Sequence, residues 1–317
     1  MTDRLIDRST KSAHLFPSLR ASYVIINTML KYLLKTMRPK QWVKNVFVLA
    51  AIVFDRQLTD INALAVTIGG VIIFCLLSST VYILNDIADV EADRQHPKKR
   101  NRPIASGKLP VTTARIAAIV ILVICFPAAW FLSPSFALIA FAYFIMNLLY
   151  SKWLKHIPLI DVMIIATGFV LRVVAGVSLI QVERFSPWLY VCTTLLALFM
   201  GFGKRRSELV LLAEGANSHR KVLDGYTIEL LDQMILIVCA STLMAYTLYT
   251  VFAVNLPDNN AMMLSIPFVL YAMFRYLYMV QVKGAGGAPE DLVLTDRPLQ
   301  IAGFLWGVTV LIIFYLF

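Results

Sequence analysis

The chain has 317 residues, of which 59% are hydrophobic and 15% charged, with a net charge of +10 and a mean hydropathy of +0.73. That balance leaves too little polar surface for a soluble domain, so the sequence reads as an integral membrane protein with no nucleic-acid partner. Cys75, Cys125, Cys192 and Cys239 all lie in apolar runs without CxxC or Cys/His spacing, which argues against a disulfide framework or a zinc site.

Residues 1–20 are polar and basic, lack the apolar core of a signal peptide, and are expected to form a disordered cytoplasmic tail. Residues 21–37, "ASYVIINTMLKYLLKTM", alternate apolar and basic positions at helical spacing and predict an interfacial helix that Pro39 ends. Beyond it, apolar runs predict about nine spans, at 41–55, 61–84, 111–132, 134–151, 157–180, 186–203, 230–254, 263–282 and 299–316. With the N-terminus inside, this alternation puts every Lys and Arg on the cytoplasmic side except four. Arg56 and Arg184 fall outside, and Arg172 and Arg275 fall within spans. The long polar loops 85–110, 204–229 and 283–298 then share the cytoplasmic face, where chemistry is expected. No repeat or linker interrupts 21–317, which is expected to be one transmembrane domain in a bacterial inner membrane. A homo-oligomer is compatible with this.

At the end of the second span, "LNDIADVEADRQHPKKRNRPIASGKLP" (84–110) concentrates charge. Asp86, Asp89 and Asp93, spaced i, i+3 and i+7, share one face of a helix continuing out of the span. Carboxylates stacked in this way repel unless neutralised, and Mg²⁺ is a suitable partner because it also takes phosphate oxygens. The other reading is a solvated helix end paired with nearby lysines. Lys98, Lys99, Arg100 and Arg102, which follow within ten residues of Asp93, favour a metal-plus-cation surface for a diphosphate.

"NDIADVEAD" followed by "RPIASGKL" resembles the NDxxDxxxD motif and subsequent RP…G loop of the UbiA superfamily of intramembrane prenyltransferases. The resemblance implies an all-α bundle of about nine transmembrane helices around a central cavity open to the cytoplasmic side. It also implies that Asn85, Asp86, Asp89 and Asp93 serve Mg²⁺ and a substrate diphosphate, with Arg102 on phosphate. Where many members carry a second acidic motif, DxxxD, this sequence has "GFGKRRSEL" (201–209), with Lys204, Arg205 and Arg206. Cations there suit additional phosphate groups; a positive-inside anchor is the other reading. Together with "MRPKQWVKNVFV" (37–48), "LDGYT" (223–227), "FRYLYMV" and "EDLVLTDRPL", this departure resembles the phosphoribosyltransferase branch of the superfamily. That branch implies transfer of 5-phosphoribose from phosphoribosyl pyrophosphate to a polyprenyl (decaprenyl-type) phosphate. Catalytic roles are expected of Asp86 and Asp89 on this resemblance, and of Asp161 from its own position as an intramembrane carboxylate.

Other polar residues carry two readings each. Asp161, at the cytoplasmic end of the fifth span, is a second carboxylate of the site or a partner of Lys152 or Lys155. Arg172, about 16 Å deeper on nearly the same face, meets a lipid phosphate or serves as a structural tie. Lys44 and Asn45 at the entrance of the first span, and Tyr150 and Lys152 at the end of the fourth, are substrate-binding candidates or interfacial residues. A prenyltransferase using an isoprenoid diphosphate is the alternative function. A transporter is disfavoured, because the charges collect at one face and not at the midplane.

Overall fold

The computed structural model describes residues 17–97, 99–182, 187–213, 221–253, 256–257, 259–284 and 289–316, with side chains from Asn27 onward except those of Lys221 and 289–291. Most of the expected tail, the basic-run residue Lys98, Arg184, and the histidines His14 and His219 lie outside the described residues.

Helix α1, Pro17–Met37, covers the expected interfacial segment and starts four residues earlier. A 3₁₀ segment, Pro39–Leu49, runs into the short α2, Ala50–Phe54. Helices α3 (Ile61–Ala88), α4 (Val90–Gln95), α5 (Val111–Leu132), α6 (Pro134–Lys152), α7 (Ile160–Val177) and α8 (Pro187–Ala213) follow. The chain then forms α9 (Ile228–Phe252), α10 (Ile266–Gln281), α11 (Pro289–Thr295) and α12 (Arg297–Leu316). Among the described residues seven helices are long and apolar enough to cross a membrane: α3, α5, α6, α7, α9, α10 with the turn before it, and α12. The other two expected spans are present as helical segments. The first is a 3₁₀/α composite, and α8 carries the charged run Lys204–Glu208 in its second half.

Local chemistry explains the helix starts. Asp60 accepts from the backbone N–H of Asn62 (2.8 Å) and Ala63 (3.1 Å) ahead of α3. Ser133 caps α6 with Pro134 behind it, and Thr227 caps α9 through the N–H of Leu230 (3.1 Å). Each cap satisfies a donor that the helix leaves open, which matters more where water is scarce. Side chains such as Phe131, Phe304 and Ile116 are more than half exposed. For a helix whose solvent is lipid, that exposure carries no hydrophobic penalty.

Contacts group the chain into two compact units, Met1–Lys40 with Ser78–Val123 and Gln41–Leu77 with Ile124–Phe317. In the second, Val162, Phe199, Phe202, Leu231, Ile235, Met273 and Tyr276 form a core shared by α7, α8, α9 and α10. The 3₁₀ segment packs tightly on α7: Phe47 meets Phe169 edge-on at 5.0 Å, and a Cβ on Gly176 would lie 2.0 Å from the carbonyl oxygen of Val48. Backbone sits against backbone there, which only glycine permits. Gly176→Ala is therefore expected to destabilise the protein by about 1–3 kcal/mol. Gly307→Ala, with open space around it, should be near neutral, as thermal unfolding in detergent would report.

Candidate active site

The acidic run lies in the first unit. Helix α3 extends past the expected end of its span to Ala88, so Asp86 is still helical, and Asp89 sits at the junction with α4. The helical path is nearly unbroken, since the N–H of Asp89 donates to Asn85 O (2.9 Å) and that of Asp93 to Asp89 O (2.8 Å). Asp86 and Asp93 are each 2% exposed. Their carboxylates converge on one nitrogen: Arg102 Nη1 lies 3.1 Å from Asp86 Oδ1 and 2.7 Å from Asp93 Oδ2. Arg38 Nη2 donates to the same Asp86 oxygen at 2.6 Å, with its guanidinium 4.8 Å above the Tyr82 ring. Arg38 adopts φ 54, an uncommon left-handed conformation for a bulky residue, while Ser79 Oγ anchors the preceding carbonyl of Met37 (3.0 Å). Asp89 is half-buried and forms no ion pair among the described residues. Asn85, one residue before Asp86, is half-buried as well.

These residues fit a hard divalent cation. Two buried carboxylate oxygens already share a single cationic nitrogen, and Asp89 lies next to them in sequence; Mg²⁺ needs one or two such ligands beside phosphate and water. Among the described residues no cluster of three or more His, Cys, Asp or Glu side chains is assembled for a metal. The third carboxylate does not join the first two.

The second unit holds a separate buried network. Asp161 is fully buried; its Oδ2 receives Arg205 Nε (2.5 Å) and its Oδ1 the Tyr226 hydroxyl (2.7 Å). Arg205 also donates to Glu208 Oε2 (2.6 Å). Neither Lys152 nor Lys155 is the partner of Asp161. Lys152 is exposed, with its ammonium 4.6 Å from the Trp153 ring. Tyr226 in turn accepts from the N–H of Leu159 at 2.6 Å. Leu159 has φ 67 and ψ −48, and the N–H of Ile160 donates to Pro158 O (2.9 Å), which together make a strained γ-turn at the start of α7. Gly225 lets the 221–226 segment close on that turn, since a Cβ there would lie 2.3 Å from Pro158 Cγ. Burial, and then the hydrogen bond to the Asp161 carboxylate, push the Tyr226 phenol well above its usual pKa. The phenol therefore stays protonated and keeps donating.

The basic cluster on α8 divides among three tasks. Arg205 belongs to Asp161; Arg206 makes a two-pronged pair with Asp232 of α9 (2.5 and 3.3 Å); Lys204 is half-buried and forms no ion pair among the described residues. Lys44 and Tyr150 are both half-buried. The Asn45 side chain turns inward: its Oδ1 accepts from Arg172 Nε (2.8 Å) and its Nδ2 lies 3.3 Å from Cys75 Sγ. Arg172 also donates to Gly168 O and to the Tyr143 hydroxyl, each at 2.7 Å. It is a tie joining the 3₁₀ segment, α6 and α7 through neutral acceptors, with no carboxylate partner among the described residues.

The sequence reading singles out neither Arg38 nor Tyr226. Both stand inside motifs it quotes, and both are held to a buried carboxylate.

The profile of the UbiA prenyltransferase family matches residues 45–286. The chain belongs to the UbiA prenyltransferase family. Within it the chain is 34% identical over 280 residues to decaprenyl-phosphate phosphoribosyltransferase of Mycobacterium tuberculosis, covering 87% of this chain and 92% of that one. The enzyme of the same name from Corynebacterium glutamicum is also 34% identical, over 90% of this chain and 87% of its own. Among solved structures, a UbiA homolog from Archaeoglobus fulgidus bound to GPP and Mg²⁺ superposes with a TM-score of 0.67. At 19% identity, with 89% of this chain and 99% of that one covered, this likeness shows the fold. This UbiA chain is thus a multi-pass membrane transferase by family and composition.

Removing one partner of the deepest pair isolates its weight. Asp161→Ala leaves Arg205 buried with a single remaining carboxylate, and should cost about 3–5 kcal/mol in thermal unfolding. Tyr226→Phe should cost about 1–3 kcal/mol.

Proposed function

We propose that the protein transfers 5-phosphoribose from phosphoribosyl pyrophosphate to a polyprenyl (decaprenyl-type) phosphate, releasing pyrophosphate. The observation that carries this reading is the 34% identity, across 87% of the chain, to a relative named for that activity. The polar clusters support it with a chemistry suited to phosphorylated substrates.

In the reaction, a phosphate oxygen of the lipid attacks ribose C1, the C1–O bond to the diphosphate breaks, and pyrophosphate leaves with that electron pair. A phosphate monoester is already anionic near neutral pH, so no strong base is needed. Asp86 and Asp93, with Asp89 beside them, would hold Mg²⁺. The metal supplies positive charge where the departing diphosphate gains negative charge. Arg102 and Arg38 neutralise the two buried carboxylates. With those carboxylates holding Mg²⁺, both guanidinium groups would be available for charge-assisted hydrogen bonds to phosphate oxygens. Lys204 suits a further phosphate, whereas Arg205 and Arg206 act by fixing Asp161 and Asp232. Asp161 serves in this reading as a positioning residue that holds Arg205 and Tyr226, and Lys44, Asn85, Tyr150 and Lys152 are candidates for binding substrate phosphate or ribose. Residues 21–317 act as one catalytic domain, with the acidic and basic loops on the cytoplasmic side of a bacterial inner membrane.

The family also contains enzymes that move an isoprenoid from its diphosphate, and the A. fulgidus homolog binds GPP with Mg²⁺. For this chain that second reading is weakened by "GFGKRRSEL" in place of a second acidic motif.

Purified protein given Mg²⁺, labelled phosphoribosyl pyrophosphate and polyprenyl phosphate should form a labelled lipid. Prenylation of an aromatic acid from polyprenyl diphosphate, with no labelled phosphoribosyl lipid, contradicts the proposal. Chelation should abolish turnover, and added Mg²⁺ should restore it. Asp86→Asn and Asp93→Asn should each lower kcat by about 100-fold or more, the scale for losing a group that stabilises transition-state charge. Circular dichroism would confirm that helix content is kept.

A further inference from the structure

At the end of the second unit remote from Asp161, α2 closes in a Schellman turn. The N–H of Gln57 donates to Ile52 O (3.0 Å) and that of Arg56 to Val53 O (3.3 Å). This puts Arg56 in the left-handed position, φ 57, where glycine is the usual residue. An arginine that accepts this strain is placed for its side chain. That side chain does not extend into solvent: its guanidinium lies 5.3 Å from the centroid of the Phe314 ring, and its Nε is buried with no acceptor among the described residues.

A second buried donor lies in the same aromatic group. Phe54 meets both Phe314 and Tyr249 edge-on, at 5.9 and 6.0 Å. Tyr249 is 4% exposed, and its hydroxyl has no hydrogen-bond partner among the described residues. The surroundings are otherwise well satisfied. One turn earlier on α9, the Tyr246 hydroxyl is bonded to Ser265 Oγ (2.6 Å) and Trp306 Nε1 (2.7 Å), and Tyr315 accepts from the N–H of Leu58 (3.1 Å). Two buried donors, one of them cationic, thus lack an acceptor among the described residues. Buried donors seldom go without one.

We infer that Arg56 and Tyr249 form a binding site for a phosphate oxygen of an anionic phospholipid headgroup. The position favours an amphipathic ligand over a free ion. Tyr249 is one turn from the end of α9, and Val251, Phe252 and Leu316 beside these helix ends are exposed by 42, 65 and 75%, offering apolar surface for acyl chains. The site is built from residues of the second unit, whereas the acidic run belongs to the first. It binds a lipid that holds the structure and takes no part in the reaction.

The test uses the delipidated full chain in neutral detergent. Native mass spectrometry and thermal unfolding are read with added phosphatidylglycerol or added inorganic phosphate. The wild type should retain a phosphatidylglycerol and gain thermal stability from it. Arg56→Gln and Tyr249→Phe should each bind it roughly tenfold more weakly, the loss of one charge-assisted hydrogen bond. Tyr249→Phe removes a single oxygen and leaves the packing intact. If that variant binds the lipid like the wild type and is more stable, the hydroxyl was merely unsatisfied and the site is refuted. Equal stabilisation by inorganic phosphate refutes the headgroup assignment. Glu183 and Asp258 lie outside the described residues. If Glu183→Gln or Asp258→Asn reproduces the Arg56→Gln loss, a protein carboxylate is the acceptor and the proposal fails.

Discussion

A charge taken out of water must be met by an opposite charge or by well-placed dipoles, and this constraint organises the polar interior of the protein. Asp86 and Asp93 meet on Arg102, with Arg38 added on Asp86; Asp161 meets Arg205; Asp296 takes a two-pronged pair from Arg275. Among the described residues every one of these carboxylates is paired with arginine and none with lysine. A planar guanidinium can serve two acceptors at once and is less strongly hydrated than an ammonium, so it is the better counter-ion where water is scarce. The two clusters differ in how far they are committed. The oxygens of Asp161 are both used, one by Arg205 and one by Tyr226. Asp86 and Asp93 share one nitrogen, and the arginines that serve them are about a third exposed. The first arrangement is a fixed support. The second leaves its arginines partly exposed, and the proposed transfer requires it to exchange counter-ion for metal.

Neutral polar groups continue the same logic at depth. Arg172 is held by Asn45, Gly168 and Tyr143 and by the faces of Tyr143 and Phe169. Its charge is spread over dipoles and ring quadrupoles in place of a carboxylate. The close packing of Gly176 on Val48 brings the 3₁₀ segment near enough for Asn45 to reach Arg172. The irregular first span and the buried arginine are therefore parts of one contact.

Much of this was legible in the sequence. Apolar run lengths located the long helices, because bilayer thickness sets a minimum length that few soluble helices meet. The i, i+3, i+7 spacing put Asp86 and Asp93 on one face, and "RPIASGKL" supplied the arginine that joins them. Other features depend on tertiary placement and were not legible. Asp89 has the right spacing, yet Arg102 joins only Asp86 and Asp93. Arg206 reads as a phosphate ligand until Asp232, 26 residues away, is seen to meet it. Asn45 looks like part of a phosphate-binding entrance, yet its partner is 127 residues distant. Arg38 stands in a quoted motif, but only the left-handed turn at φ 54 brings it onto Asp86. Charge type and spacing can be read along a chain; the choice of partner among several arginines cannot.

The central claim is that the Asp86–Asp93 pair exchanges arginine for a divalent cation when a diphosphate binds. Electron paramagnetic resonance of Mn²⁺, a spectroscopic substitute for Mg²⁺ with similar oxygen ligands, reads this directly in the wild type and in an Asp86→Asn, Asp93→Asn double variant. The account predicts tight Mn²⁺ binding by the wild type in the presence of phosphoribosyl pyrophosphate and its loss in the double variant. Unchanged Mn²⁺ binding by that variant would contradict it.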